Sequence, residues 1–289
     1  MGQTTARLQS YLMPDNRVIR FEFDLYDEEL MGQPRFIDVS MPISNRVVTD
    51  PPIIKPTIEY STHSDGATQM LPFFPGLTID DLPDGEGWAT ETLTLSTHSG
   101  SHMDAPWHYH STTDEGATPA PTIDEAPLHF FFQPAVKLDF RHFEDGYVAT
   151  AADIESELQR IDYDLQPLDI VLVNTSAGAA YGTDHYVESG CGIGREATLH
   201  LTQRGVCVVG TDAWSWDAPF TYTAERFAQT GDTSLIWEGH KAGRIRPYYQ
   251  MEKLHNLEAL PPSGFKLACF PVKIERASAG WIRAVAIVD

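Results

Sequence analysis

Between Ser96 and His110 the chain reads Ser-Thr-His-Ser-Gly-Ser-His-Met-Asp-Ala-Pro-Trp-His-Tyr-His, which gathers four histidines and one aspartate into a short stretch. Metal ligation needs such convergence, and a backbone has few ways to supply it. A helix would put His98 and His102 on one face, but Gly100, Pro106 and the β-branched approach from Thr92 to Thr97 all oppose a helix here. An extended segment is expected instead. Alternate side chains of a strand share a face, so His98, His102 and Asp104 would project to one side, with Gly100 leaving room between them. Two imidazoles and a carboxylate suit zinc or manganese, and a carboxylate has a second oxygen with which to bridge another ion. The competing reading is a polar loop whose histidines hydrogen-bond to backbone, as isolated histidines usually do.

The flanking sequence reads as an α/β frame. Residues 1–35 are expected to form an N-terminal arm and residues 36–289 one domain. Ile37 opens a strand, a long Pro- and Gly-rich loop runs to about Gly87, and Thr90–Thr97 alternates as a half-buried strand does. Strands are expected at Pro134–Phe140, Asp169–Asn174 and Val206–Gly210. Helices are expected at Thr150–Arg160, capped by Thr150, and at Arg195–Gln203, ended by Gly205. Met251–Leu257 reads as a short helix, and Phe265–Val272 and Trp281–Val288 as strands.

Composition excludes several roles. With 41 acidic against 20 basic residues the net charge is −21, a field that repels phosphate backbones and sets nucleic-acid binding aside. Cys191, Cys207 and Cys269 form neither a C-x-x-C pair nor an even-numbered framework. Met1–Ala6 begins no apolar signal segment, and no apolar run nears the roughly 20 residues of a membrane span. A cytoplasmic protein acting on a small molecule, away from membranes, is expected.

The pattern His98-x-Gly-Ser-His102-x-Asp104-x-Pro-x-His108 resembles the signature of the cyclase family, which includes bacterial kynurenine formamidases and isatin hydrolases. Every chemical position is present, with Ser101 in place of the usual Thr. The resemblance implies that His98, His102 and Asp104 are metal ligands and that His108 is the catalytic acid/base. In formamidases of this family a downstream His, with a Glu twelve residues later, completes a second metal site around the bridging Asp. His240 and Glu252 have that spacing. Similar blocks at Gly210–Asp212, Glu252–Leu257, Phe270–Ile274 and Arg283–Ala286 extend the likeness from about Ile37 to the end. The N-terminal arm and the stretch Trp214–Trp237 are longer than in small formamidases.

The resemblance further implies an α/β fold, with a mixed sheet or small β-barrel core and flanking helices of the swivelling β/β/α type. It implies one or two divalent ions per chain, zinc or manganese, and a homodimer or homotetramer. The expected reaction is hydrolysis of an amide, imide or lactone in a small aromatic or cyclic substrate by a metal-activated water. Its competitors are a metal-dependent cyclase or lactonase and a metal- or small-molecule-binding protein without turnover. Asp212, at a strand end, is expected either to orient a ligand imidazole or to serve as a turn residue. Phe74, Trp107 and Trp214 are expected to line an apolar substrate pocket, Phe74 from a loop resembling the family's substrate-contacting one.

Overall fold

Five consecutive buried residues, Ile170–Asn174, set the layering of the molecule. Ile170 and Leu172 enter a core shared with Met103, Val208 and Met251, whereas Val171 and Val173 enter a second core with Ile154, Leu201 and Val209. A strand covered on both faces belongs at the centre of a parallel sheet, with layers packed above and below. Phe132–Asp139, Ile170–Asn174, Val208–Thr211 and Tyr249–Glu252 pair in parallel in that order. Parallel neighbours need crossovers, and helices supply them: Ala151–Arg160, Arg195–Gln203, then Phe220–Thr230 with Glu238–Ala242. The first begins where its sequence says. The Thr150 hydroxyl accepts from the Asp153 N–H, while the Asp153 carboxylate accepts from the Thr150 N–H at 2.8 Å.

The computed structural model describes residues 34–288 together with the strands Arg7–Leu12 and Val18–Phe23, which pair with each other antiparallel. The rest of the expected N-terminal arm, residues 1–6, 13–17 and 24–33, lies outside the described residues. Antiparallel strands extend the parallel centre on both sides. The full order is Ala279–Trp281, His102–Asp104, Tyr249–Glu252, Val208–Thr211, Ile170–Asn174, Phe132–Asp139, Phe265–Ala268, Val285–Val288 and Arg35–Asp38. The sheet curls into a half-barrel. Where the chain leaves the edge strand Arg35–Asp38, the Val39 N–H donates to the Ala284 carbonyl and the Val39 carbonyl accepts from the His255 N–H, while Ser40 bridges Leu254. These bonds tie one edge to the segment that follows Tyr249–Glu252, far across the sheet. The mixed sheet with flanking helices agrees with the fold expected from the resemblance.

Three local expectations give way. The loop expected up to Gly87 contains a strand, Thr57–Ser61, and a helix, His63–Met70, whose Thr62 forms a capping box with Asp65. Thr90–Thr94 pairs with Thr57–Ser61 but is exposed along its whole length, so its alternation does not mark a half-buried face. Met251–Leu257 is no helix. Tyr249–Glu252 is a fully buried strand, and Lys253 and Asn256 then take φ of 58° and 57°, left-handed turns that a helix does not accommodate. Tertiary pairing overrides the helical propensity of Met, Glu, Lys and Leu there.

Candidate metal centre

Two adjacent strands assemble the polar cluster. His102–Asp104 lies between Ala279–Trp281 and Tyr249–Glu252, with Glu252 opposite His102 and Gln250 opposite Asp104. Met103 and Met251 enter the hydrophobic core, so the pleat sends His102, Asp104, Gln250 and Glu252 to the other face together. His98 arrives by a different route from the one expected. It sits in the turn before the strand, where Gly100 adopts φ 64° and a Cβ would come within 3.1 Å of Ile43 Cγ1. The turn still brings His98 Nδ1 to 2.8 Å from Asp104 Oδ1, with Nε2 at 3.0 Å from Ser278 Oγ.

Hydrogen bonding sets the tautomer of His102. Its Nδ1 lies 2.9 Å from the Gly100 carbonyl, which can only accept, so the proton is on Nδ1, and in the neutral ring Nε2 has the lone pair. That lone pair lies 3.2 Å from Asp104 Oδ1 and 3.6 Å from Glu252 Oε2. Among the described residues neither His102 Nε2 nor Asp104 Oδ1 makes a well-formed hydrogen bond, the imidazole nearest the latter being His98 Nδ1 at 2.8 Å. Two buried acceptors facing each other are unfavourable without a positive group to receive them, and a divalent cation has the required charge and donor preference. The residues present therefore fit a metal.

His240 joins from the helix Glu238–Ala242. Asp217 accepts from the N–H groups of Gly239 and His240, at 2.7 and 3.1 Å, and from His240 Nδ1. This turns His240 Nε2 toward Glu252 Oε1 at 3.4 Å and Asp104 Oδ2 at 3.8 Å. The Gln250 amide stands among these groups, with Nε2 at 2.7 Å from His240 Nε2, 2.9 Å from Glu252 Oε1 and 3.3 Å from Asp104 Oδ2. Charges follow this geometry. Burial pushes the Asp104 carboxyl up, but the imidazoles of His108, His102 and His98 hold it well below the usual carboxylate range. Burial and the nearby Asp104 charge raise Glu252. Burial opposes charge on His98 and His240, yet Asp104 beside the first and Asp217 beside the second raise both. His108 goes the other way: burial, with neighbouring imidazoles adding to it, lowers it to about 4, so it stands neutral at pH 7.

A cavity of about 280 Å³ opens over the cluster, walled by His98, His108, Ile54, Trp214, Phe220 and Trp237. The His108 ring lies 4.1 Å from His98, and Trp237 stacks on His240 at 4.4 Å and 21°. Trp214 is where the sequence puts it, on the cavity wall. Phe74 and Trp107 are absent from that wall, at 51% and 44% exposed. On the short helix Pro106–Tyr109 successive side chains diverge by about 100°, so a helix that presents His108 to the site turns Trp107 outward. Asp212 also stands apart. Its carboxylate accepts from Asn174 Nδ2 at 2.8 Å and from the Thr175 N–H and hydroxyl at 2.9 and 2.7 Å, and the imidazole-orienting role expected of it falls to Asp217.

Burial raises the Asp212 carboxyl to about 7 against the pull of these donors. The network is structural, and Asp212→Ala, which strips buried donors of their acceptor, should cost about 3 kcal/mol. Urea unfolding of the metal-free protein measures this, and a loss under about 1 kcal/mol would refute it. Sequence reading missed Asp217, Gln250 and Trp237. Only Gln250 left a signal, its position two residues before Glu252, and that signal depends on reading Tyr249–Glu252 as a strand.

The family model for cyclases matches residues 37–218. The kynurenine formamidase of Maricaulis maris is 28% identical over 226 residues, covering 74% of this chain and 91% of the relative. Among solved structures, an isatin hydrolase bound to the product analogue thioisatinate superposes with a TM-score of 0.68 at 21% identity, covering 90% of this chain and 95% of that one. A structure described as a potential metal-dependent hydrolase with cyclase activity superposes with a TM-score of 0.58 at 21% identity, covering 89% and 98%.

Proposed function

This chain belongs to the cyclase family, and on that premise we propose that it is a metal-dependent hydrolase cleaving an amide, cyclic amide or lactone bond in a small aromatic or cyclic substrate. One observation carries the reading: His102 Nε2 and Asp104 Oδ1 face each other, buried and without a well-formed hydrogen bond among the described residues, beneath a cavity that also exposes a neutral His108. A divalent cation held by His98, His102 and Asp104, zinc or manganese by its nitrogen and oxygen donors, would supply a Lewis acid for the carbonyl and a water ionised near neutrality. His108, neutral at pH 7, takes the proton from the attacking water and passes it to the leaving nitrogen or oxygen. Trp214, Trp237 and Ile54 line the cavity in which the reacting group would sit. The names of the relatives, a formamidase and an isatin hydrolase, support an acyclic or ring amide as the bond cleaved.

The reading takes one cation per chain. The Gln250 amide already donates into the space between Asp104, His240 and Glu252, where a second ion would sit. Protein purified without chelator should carry about one equivalent of metal by elemental analysis, and Gln250→Ala should admit a second. Two equivalents in wild type would contradict this assignment. Hydrolysis of N-formylkynurenine and of isatin, each with and without chelator, tests the activity. Absence of both stoichiometric metal and turnover would sink the proposal.

The exposed Tyr60, Phe73, Phe74 and Leu93 support a homodimer or homotetramer that covers them. Among the described residues no helix is long and apolar enough to cross a membrane, and the unpaired Cys191, Cys207 and Cys269 fit a reducing cytoplasm.

A further inference from the structure

Beside the reaction cavity lies a second, larger hollow. Phe220, Thr223, Ala224 and Phe227 recur at helical spacing along Phe220–Thr230 and present one face, which Ile236 and Trp237 complete from the other side. An apolar helix face is normally buried, yet Phe220, Ile236 and Phe227 are 55%, 41% and 37% exposed. The hollow they form has a volume of about 630 Å³, and Lys241 also lines it.

Its position indicates what fills it. Phe220 and Trp237 line this groove and the reaction cavity alike, so the two spaces share a wall. Trp214 meets Phe220 edge-on at 5.6 Å, and Trp237 meets His108 edge-on at 5.1 Å. Trp237 holds a left-handed φ of 58°, a conformation costly for a bulky residue, and in that conformation its indole lies on His240 between the two spaces. The cavity alone, at about 280 Å³, has room for little more than one ring system.

We propose that the groove is a subsite for an apolar arm of the substrate, an alkyl chain or second ring attached to the group that carries the scissile bond. The substrate class is then an extended aryl or alkyl amide with its reacting end over the metal cluster and its apolar end along Phe227 and Ile236. This rests on the hydrolase reading above, and the test separates the two. Turnover of formanilide is compared with that of its 3-butyl and 4-butyl derivatives in wild type, Phe227→Glu and Ile236→Glu, and each protein is titrated with the dye 1-anilinonaphthalene-8-sulfonate.

In wild type, kcat/KM should rise about tenfold or more for at least one butyl derivative, and in both variants the ratio to formanilide should fall toward one. Dye should bind wild type at least about tenfold more tightly than Phe227→Glu, and 4-butylaniline should displace it where aniline does not. Turnover indifferent to the butyl group overturns the subsite and leaves the hydrolase standing. No turnover of any formanilide, with dye binding still dependent on Phe227 and displaced by 4-butylaniline, removes the hydrolase reading and keeps the groove as an apolar-arm site. No turnover with dye binding indifferent to Phe227 removes both. A drop in native mass caused by Phe227→Glu would assign the face to contact between copies of this chain and overturn the subsite.

Discussion

Asp104→Ala is expected to strip the chain of its cation and to lower kcat/KM by roughly 10⁴-fold or more, because the carbonyl activation and the ionised water disappear together. The size of the effect follows from where Asp104 sits. It is fully buried, with Oδ1 facing His98 Nδ1 at 2.8 Å and His102 Nε2 at 3.2 Å, and Oδ2 facing Gln250 Nε2 at 3.3 Å. The imidazoles around it hold its carboxyl well below the usual range, so it is the negative centre on which the proposed ligand imidazoles converge. Elemental analysis should fall from about one equivalent to less than a tenth. Thermal unfolding gives a second readout. Free metal at a hundred times its dissociation constant should stabilise wild type by about 2.7 kcal/mol, and Asp104→Ala should show no such gain. A variant that keeps its metal would remove Asp104 from the ligand set, whatever its activity.

The clustering of His98, His102 and Asp104 was legible because its chemistry is concentrated in sequence. His98, His102 and Asp104 fall within seven consecutive positions, and Gly100 and Pro106 rule out the helix that would otherwise compete. Even so, the strand covers only His102–Asp104, and a glycine turn brings His98 in where strand alternation was expected to. The central strands and their helices were legible for a related reason, since buried runs such as Ile170–Asn174 carry their environment in their composition. Glu252 shows where local reading stops. Its neighbours favour a helix, and what holds it extended is a pairing with His102, 150 residues earlier in the chain. Asp217 was invisible for the same reason, and the signal of Gln250 depends on that same pairing: each acts through a partner distant in sequence, His240 for one and Asp104 for the other. Phe74 and Trp107 failed in the opposite direction, because aromatic character says nothing of which way a side chain faces. The Trp237 wall depends on a left-handed backbone that no propensity favours.

Replacing His108 by alanine should lower kcat by roughly 10³-fold while leaving about one equivalent of metal in place, the signature of a proton carrier that is not a ligand. The structure makes this a real contest, because the ligand atoms of His98, Asp104 and His108 lie close enough together for one ion to gather them, as do those of His102, Asp104 and Glu252. Three features favour the proton-carrier role. His108 lies on the cavity wall, its ring edge faces Trp237 at 5.1 Å, and its lowered pKa of about 4, caused chiefly by burial, leaves a free lone pair throughout the neutral range. A group that is neutral before attack can accept a proton during it, and the Asp104 carboxylate favours the charged form that results. Added imidazole should restore part of the lost kcat in His108→Ala, since the vacated space adjoins the open cavity. Loss of metal from the same variant would make His108 a ligand and require the proton to travel by another group.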